Sequence, residues 1–168
     1  SGLPHNNRVG DLDAMAIPFM MQKKGLTLDH VIRDLCHEGG LKGISGGYND
    51  LRDIQDQCDQ GNEDAQLAVD FLIAEVRRWI GSYYLELNGL DALVFTAGIG
   101  ENRASSREAV CAQLENLGVY LDPEANKACK ATEAVISHEE SPVKVMVIPT
   151  NEELVVAREV KRFLEKNS

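Results

Sequence analysis

Asp91-Ala-Leu-Val-Phe-Thr96 runs directly into Ala97-Gly98-Ile99-Gly100, and helical spacing resumes a few residues later. A short apolar run rich in strand formers and bounded by glycine predicts a buried strand entering a tight turn. Glycine removes the Cβ from such a turn and supplies positive φ where the backbone needs it. The pattern recurs downstream: Val143 to Ile148 reads as a strand, Pro149 closes it, and Thr150 opens a final helix with Val156, Val160, Phe163 and Leu164 on its apolar face. Val135 to Ser137 is a further short strand. Two strand–loop–helix units predict an α/β layer with helices packed on a sheet.

The first half carries a different period. Residues 11–24 have apolar side chains on one helical face, Thr27 stands where an N-cap would start a helix over 28–38, and Gly39-Gly40 ends it. Residues 41–48 hold three glycines and predict a loop, and a short helix follows from Asp50 to Gly61. Asn62 then caps a long helix through Leu87, with Ala65, Val69, Leu72, Val76, Ile80, Tyr83 and Leu87 on one stripe. Arg77 and Arg78 lie off that stripe and are expected to reach solvent. Ser105 and Glu108 are spaced as a capping box for a helix ending near Gly118, and Asp122-Pro123 starts another. The chain thus divides into a helical part, about 11–88, and a sheet-containing part, about 89–168.

Charge and composition narrow the partners. The net charge is −10 with a sequence pI of about 4.8, so a nucleic-acid backbone is repelled. No apolar stretch approaches the roughly 18 residues of a membrane span, and the start shows no signal-peptide pattern, so membrane association is not expected. Cys36, Cys58, Cys111 and Cys129 form no CxxC pair and read as reduced thiols of a cytoplasmic protein. The four histidines have no metal-ligand spacing. Ser1-Gly2-Leu3-Pro4 lacks an initiator Met and reads as the start of a piece of a longer chain.

Ligands of open α/β sheets collect at the carboxyl ends of strands. There the turn amides can face a phosphate or sugar, and Glu101 and Asn102 can hydrogen-bond a ribose or base. The residues alone leave a plain strand-to-helix connection open. Arg103 stands where GxGxxG would have its last glycine, and no GK[ST] follows. Thr150 and Glu153 are spaced as a second capping box, which leaves Glu152 free at a strand-to-helix junction, although a helix dipole favours first-turn carboxylates in any case.

The longer strings are more specific. Leu93-Val-Phe-Thr-Ala-Gly-Ile-Gly-Glu-Asn102 resembles the adenosine motif of the acetate kinase family, and Val147-Ile-Pro-Thr-Asn-Glu-Glu-Leu154 resembles its C-terminal signature. Upstream, Arg8-Val-Gly-Asp-Leu-Asp13 is similar to the family's R-x-G-D-[LI]-D stretch. Asp50-Leu-Arg-Asp53 is similar to its nucleotide-contacting D-[LF]-R-D stretch. The resemblance covers nearly the whole chain. It implies a ribonuclease H-like, actin-like ATPase fold with an added helical segment, and places the chain as the C-terminal nucleotide-binding half of such an enzyme.

The implied reaction is ATP plus acetate to ADP plus acetyl phosphate, with Mg²⁺. By the same resemblance Gly98, Ile99, Gly100, Glu101 and Asn102 line the adenosine pocket, and Asp50, Leu51 and Arg52 contact the nucleotide from another side. Arg8 steadies the transferring phosphoryl group, and Glu152 helps hold Mg²⁺ through bound water. Without the resemblance, Asp50 and Arg52 read as a helix-start carboxylate and a solvated arginine, and Arg8 as an exposed arginine.

Two departures flank Arg8: Gly2 to Asn7 replaces the usual Met-Gly-Thr lead-in, and Ala14 stands where proline is expected. They leave the acyl preference open among acetate, propionate and butyrate. The family's N-terminal half, with its substrate asparagine and arginine, catalytic aspartate, histidine and glycine-containing phosphate loop, has no counterpart in these residues. The chain by itself is therefore expected to be nearly inactive. The family forms homodimers through this half, and the 62–87 helix can contribute, although core packing explains its stripe equally well. A non-catalytic nucleotide-binding or dimerisation module of the same fold, and a pyrophosphate-using relative, are the competing readings.

Overall fold

A computed structural model describes residues 2–166. Its contacts divide the chain into two compact units, one up to Tyr83 and one from Tyr84 onward.

The first unit is helical: α1 (Ala16–Lys24), α2 (Leu28–His37), α3 (Gly40–Ile44), α4 (Leu51–Asp59) and α5 (Glu63–Glu86), the last continuing into the second unit's sequence. The caps follow the polar residues that precede the apolar periods. The Thr27 side chain accepts from the His30 amide, Asp50 from the Arg52 amide, and Asn62 from the Asp64 and Ala65 amides. Leu41, Leu51, Ile54, Ala65, Ala68 and Leu72 form the core, with Val69 and Val76 packed against it. Full burial of a side chain such as Ile54 contributes about 1.5–3 kcal/mol. The long stripe is therefore buried only over its first half: Tyr83 and Leu87 are exposed.

Three expectations need correction here. The glycine-rich 41–48 segment is not all loop, because α3 occupies its start. Residues 11–15 are not helical: Asp11 accepts from the Gly2 amide and from Arg78, and Asp13 accepts from the Met15 amide just before α1. Arg78 accordingly does not simply reach solvent, since it bridges Asp11 and Glu75.

The second unit holds a three-stranded sheet of order β1-β3-β2, with β1 (Ala92–Phe95), β2 (Ala134–Val135) and β3 (Lys144–Val147). β1 runs parallel to β3, pairing Ala92 with Lys144 and Phe95 with Val147, and β2 is antiparallel to β3. Central β3 contributes Val145 and Val147, both fully buried, to a core with Cys111, Leu114, Val119, Cys129, Ile136 and Val143. Helices α6 (Ala97–Asn102), α7 (Ala104–Cys111), α8 (Pro123–Ala128) and α9 (Glu152–Lys166) complete it, with a 3-10 turn at Glu115–Leu117. Asp122 caps α8 through the Glu124 and Ala125 amides, with Pro123 at the first helical position.

Sequence and structure part again in this unit. β1 is an edge strand, half-buried on alternate residues, and Val94 is 44% exposed. The Ser105–Glu108 capping box does not form. α7 starts at Ala104 with no side-chain cap and stops at Cys111, and Gly118 at φ +82° ends the 3-10 turn instead. The apolar face of α9 is present but exposed. No described helix is long and apolar enough to cross a membrane.

Candidate functional site

β1 leads into α6 through a single strained residue. Ala97 has φ +58°, whereas neither Gly98 nor Gly100 has positive φ. The positive-φ role assigned to the glycines therefore falls on an alanine, at a conformational cost of about 1–2 kcal/mol. The glycines serve by being small. A Cβ on Gly100 would lie 3.3 Å from the Phe95 carbonyl carbon, so it lets α6 fold back tightly on β1. A Cβ on Gly98 would meet nothing within 4 Å, so this backbone stands open to an incoming molecule.

That opening is an exposed cleft of about 440 Å³ lined by Ala97, Gly98, Thr150, Asn151, Glu152 and Glu153. Parallel strands β1 and β3 both end at it, which is where open sheets bind ligands. Gly98 and Glu152 are thus brought together. Ile99 is exposed, and the Asn102 side chain turns back to donate to the Gly98 carbonyl at 3.0 Å.

Glu101 has a different observed partner from the ribose or base expected of it. It is 8% exposed, and its Oε1 accepts from the Thr150 amide at 2.8 Å and the Thr150 hydroxyl at 3.0 Å. The amide bond leads in holding its carboxyl below the usual carboxylate range. This pairing also dissolves the expected Thr150–Glu153 capping box. The helix is capped by Asn151, whose Oδ1 accepts from the Leu154 amide at 2.9 Å. Glu152 and Glu153 are both exposed in the first turn.

Mg²⁺ keeps several waters and takes one or two carboxylates together with substrate phosphates. Glu152, at the cleft edge, is a donor of that kind. Among the described residues there is no group of three or more His, Cys, Asp or Glu placed to hold a metal by themselves.

In the first unit, Arg8 is exposed, and its guanidinium has no hydrogen-bond or ion-pair partner among the described residues. Its backbone is fixed nonetheless. The His5 amide donates to the Arg8 carbonyl, and the His5, Asn6 and Asn7 carbonyls accept from Leu41, Lys42 and Gly39 at the α2–α3 junction. Gly40, at φ +60°, makes this possible: a Cβ there would sit 2.5 Å from the Arg8 carbonyl oxygen. The following residues, from Gly10 to Ala14 with Ile17, line an open depression of about 510 Å³. Asp50 and Arg52 are joined in a bidentate pair with Nη2 to Oδ2 at 2.6 Å, and that bond raises the Arg52 pKa. Leu51 is 6% exposed within the core, so its backbone is what it can offer a ligand.

Sequence reasoning missed Arg107 and Asn126, both fully buried behind α6 and hydrogen-bonded to each other. One weak signal existed. Arg107 shares a helical face with Val110 and Cys111, at steps of three and four, which places a charge on the core-facing stripe of α7.

Comparison with known proteins agrees with this geometry. The family model described as the Acetokinase family matches residues 1–158. The acetate kinase of Staphylococcus haemolyticus is 44% identical over 165 residues, which are 98% of this chain and 42% of that protein. The crystal structure of Porphyromonas gingivalis acetate kinase superposes with a TM-score of 0.90 at 36% identity, covering 98% of this chain and 41% of that one. A propionate kinase from Francisella tularensis gives 0.85 at 35% identity, covering 95% and 40%. The chain therefore spans about two fifths of the relatives it matches, and its α/β architecture is that of the acetate kinases, an actin-like ATPase fold. On a match over residues 1–158, the chain belongs to the acetokinase family.

Proposed function

We propose that this chain is the C-terminal, nucleotide-binding half of a carboxylate kinase that moves the γ-phosphoryl group of ATP onto acetate, giving ADP and acetyl phosphate. One observation carries the reading: the open Gly98 backbone and the Glu152 carboxylate share a cleft at the carboxyl ends of two parallel strands. The turn Gly98, Ile99, Gly100, Glu101 and Asn102 forms the adenosine side, with Glu101 bracing it from within. Asp50, Leu51 and Arg52 supply further nucleotide contacts. Arg8 provides a planar, permanently charged fork for the phosphoryl oxygens as charge develops in transfer.

Glu152 would help hold Mg²⁺ through bound water, and the ion would supply neutralisation of phosphate charge. The acyl group is acetate on the balance of the relatives, and the propionate kinase neighbour makes propionate the first alternative. The reading extends to a homodimer of the complete protein. It also extends to a cytoplasmic setting, which suits four free cysteines.

Phosphoryl transfer depends on positioning and charge stabilisation from several sides. The test compares two polypeptides. The complete protein containing this chain should form acetyl phosphate from ATP, Mg²⁺ and acetate, trapped as the hydroxamate. The 168-residue chain alone should form almost none while retaining weak affinity for ADP in a calorimetric titration. Robust turnover by the isolated chain, or a complete protein that is inert, sinks the proposal.

A further inference from the structure

Arg107 is fully buried and has no carboxylate partner among the described residues, which is an expensive place for a charge. All five of its N–H donors are nevertheless used. Nε donates to Asn126 Oδ1 at 2.7 Å. Nη1 donates to the carbonyls of Gly100 and Glu101 at 2.9 and 3.0 Å. Nη2 donates to the carbonyls of Asn126 and Cys129 at 2.8 and 3.0 Å. Asn126 in turn donates from Nδ2 to the Ala104 carbonyl at 2.9 Å, at the start of α7. Burial lowers the Arg107 pKa, so the fold keeps this cation against its solvation preference.

The pattern of partners explains why. Two bonds hold consecutive carbonyls of α6, the turn whose outer side is the open Gly98 backbone. The other three anchor the same rigid fork to α8 and its C-cap. A lysine offers three donors from a single point and cannot span both sets. We infer that Arg107 is a positioning residue for the nucleotide turn: bolted to α8 through Asn126, it sets the orientation of Gly98 and Ile99 toward the cleft before any ligand arrives. This inference rests on the reading of that cleft as the nucleotide site.

The experiment uses the complete polypeptide and three variants: Arg107→Lys, Asn126→Ala and Val110→Ala. Val110 is buried on the same face of α7 and is named in none of these bonds, so its truncation controls for simple loss of stability. Arg107→Lys should raise the KM for ATP about tenfold while changing kcat and the KM for the carboxylate by less than about threefold. Asn126→Ala should move the ATP KM in the same direction by a smaller factor, and it stands in if the lysine variant does not fold. Val110→Ala should lower Tm and leave the ATP KM alone.

Hydrogen exchange read in parallel, without nucleotide, should show faster exchange of the Arg103 amide, which closes on the Ile99 carbonyl, in the first two variants but not in Val110→Ala. Unchanged exchange there and an unchanged ATP KM in both polar variants overturn the inference. A parent protein that binds no nucleotide overturns the reading of the cleft instead, and the exchange result then decides the positioning role by itself.

Discussion

Glu101 and Thr150, 49 residues apart in sequence, are joined by two hydrogen bonds that both end on Glu101 Oε1. The donors are the Thr150 amide and hydroxyl, so the turn after β1 is tied to the junction after β3 at the point where Glu152 emerges. The proposed nucleotide turn after β1 and the proposed metal donor Glu152 after β3 acquire a fixed relation through this carboxylate. The motif's glutamate is thereby a brace within the cleft wall.

The brace is acid-sensitive, and the sign is defined. Hydrogen bonding holds the Glu101 carboxyl below its usual value, so its stabilisation is fully present above the unfolded value of about 4.3. It is lost as the pH falls through the depressed folded value. Glu101→Gln should therefore be less stable than the parent at pH 7, with the difference in Tm shrinking between pH 5 and pH 3. Parallel pH profiles for the two proteins would contradict this.

Gly25 and Gly40 have nearly the same φ, +64° and +60°, but different surroundings. A Cβ at Gly25 meets nothing within 4 Å, whereas one at Gly40 would lie 2.1 Å from the His5 carbonyl oxygen. Gly25→Ala should cost about 1 kcal/mol, from conformation alone. Gly40→Ala should cost at least about 3 kcal/mol and shift the segment carrying Arg8, so kcat of the complete protein should fall more than its affinity for nucleotide rises or falls. Urea unfolding and steady-state kinetics of the pair check both parts; equal costs at the two sites would remove the argument for close packing.

Ala97 bears the strain of the turn. Ala97→Gly relieves the positive-φ penalty of about 1–2 kcal/mol while adding backbone entropy to the unfolded chain, so its stability should stay within about 1 kcal/mol of the parent. Ala97→Val puts a β-branched residue at φ +58° and should destabilise by about 2 kcal/mol. Calorimetric unfolding distinguishes them, and a valine variant as stable as the glycine one rules the strain out.

What was legible in the sequence is what local chemistry decides. Asn62, Asp50, Thr27 and Asp122 precede apolar periods and each caps the expected helix. β1 and β3 end at the glycine and proline signals that bound them. The motif strings carried the family because they span strand end, turn and helix start together.

The failures are those in which a distant partner wins over a local one. Thr150 was spaced to cap α9, but its hydroxyl goes to Glu101, 49 residues away. Ser105 and Glu108 had the right separation, yet α7 begins two residues too early for it, with Arg103 at the N-cap. The exposed side of β1 depends on which elements neighbour it and no periodicity within that strand encodes it, whereas the burial of Arg107 is hinted at only by its helical spacing to Val110 and Cys111.

The last turn to test is the one that presents Glu152. Two polar residues precede it, and the structure divides their work: Asn151 caps α9 through the Leu154 amide, and Thr150 serves Glu101. Asn151→Ala should therefore lose about 1 kcal/mol of stability and let the first turn fray, which loosens Glu152. Thr150→Val keeps the amide bond and loses only the hydroxyl bond, for about 0.5–1.5 kcal/mol, without fraying the helix. Glu153→Gln, which would matter if a capping box formed, should stay within about 0.5 kcal/mol. Exchange of the Leu154 amide separates these cases: it should quicken in Asn151→Ala alone. If it quickens in Glu153→Gln as well, the reciprocal cap exists in solution and Thr150 is shared between the two roles.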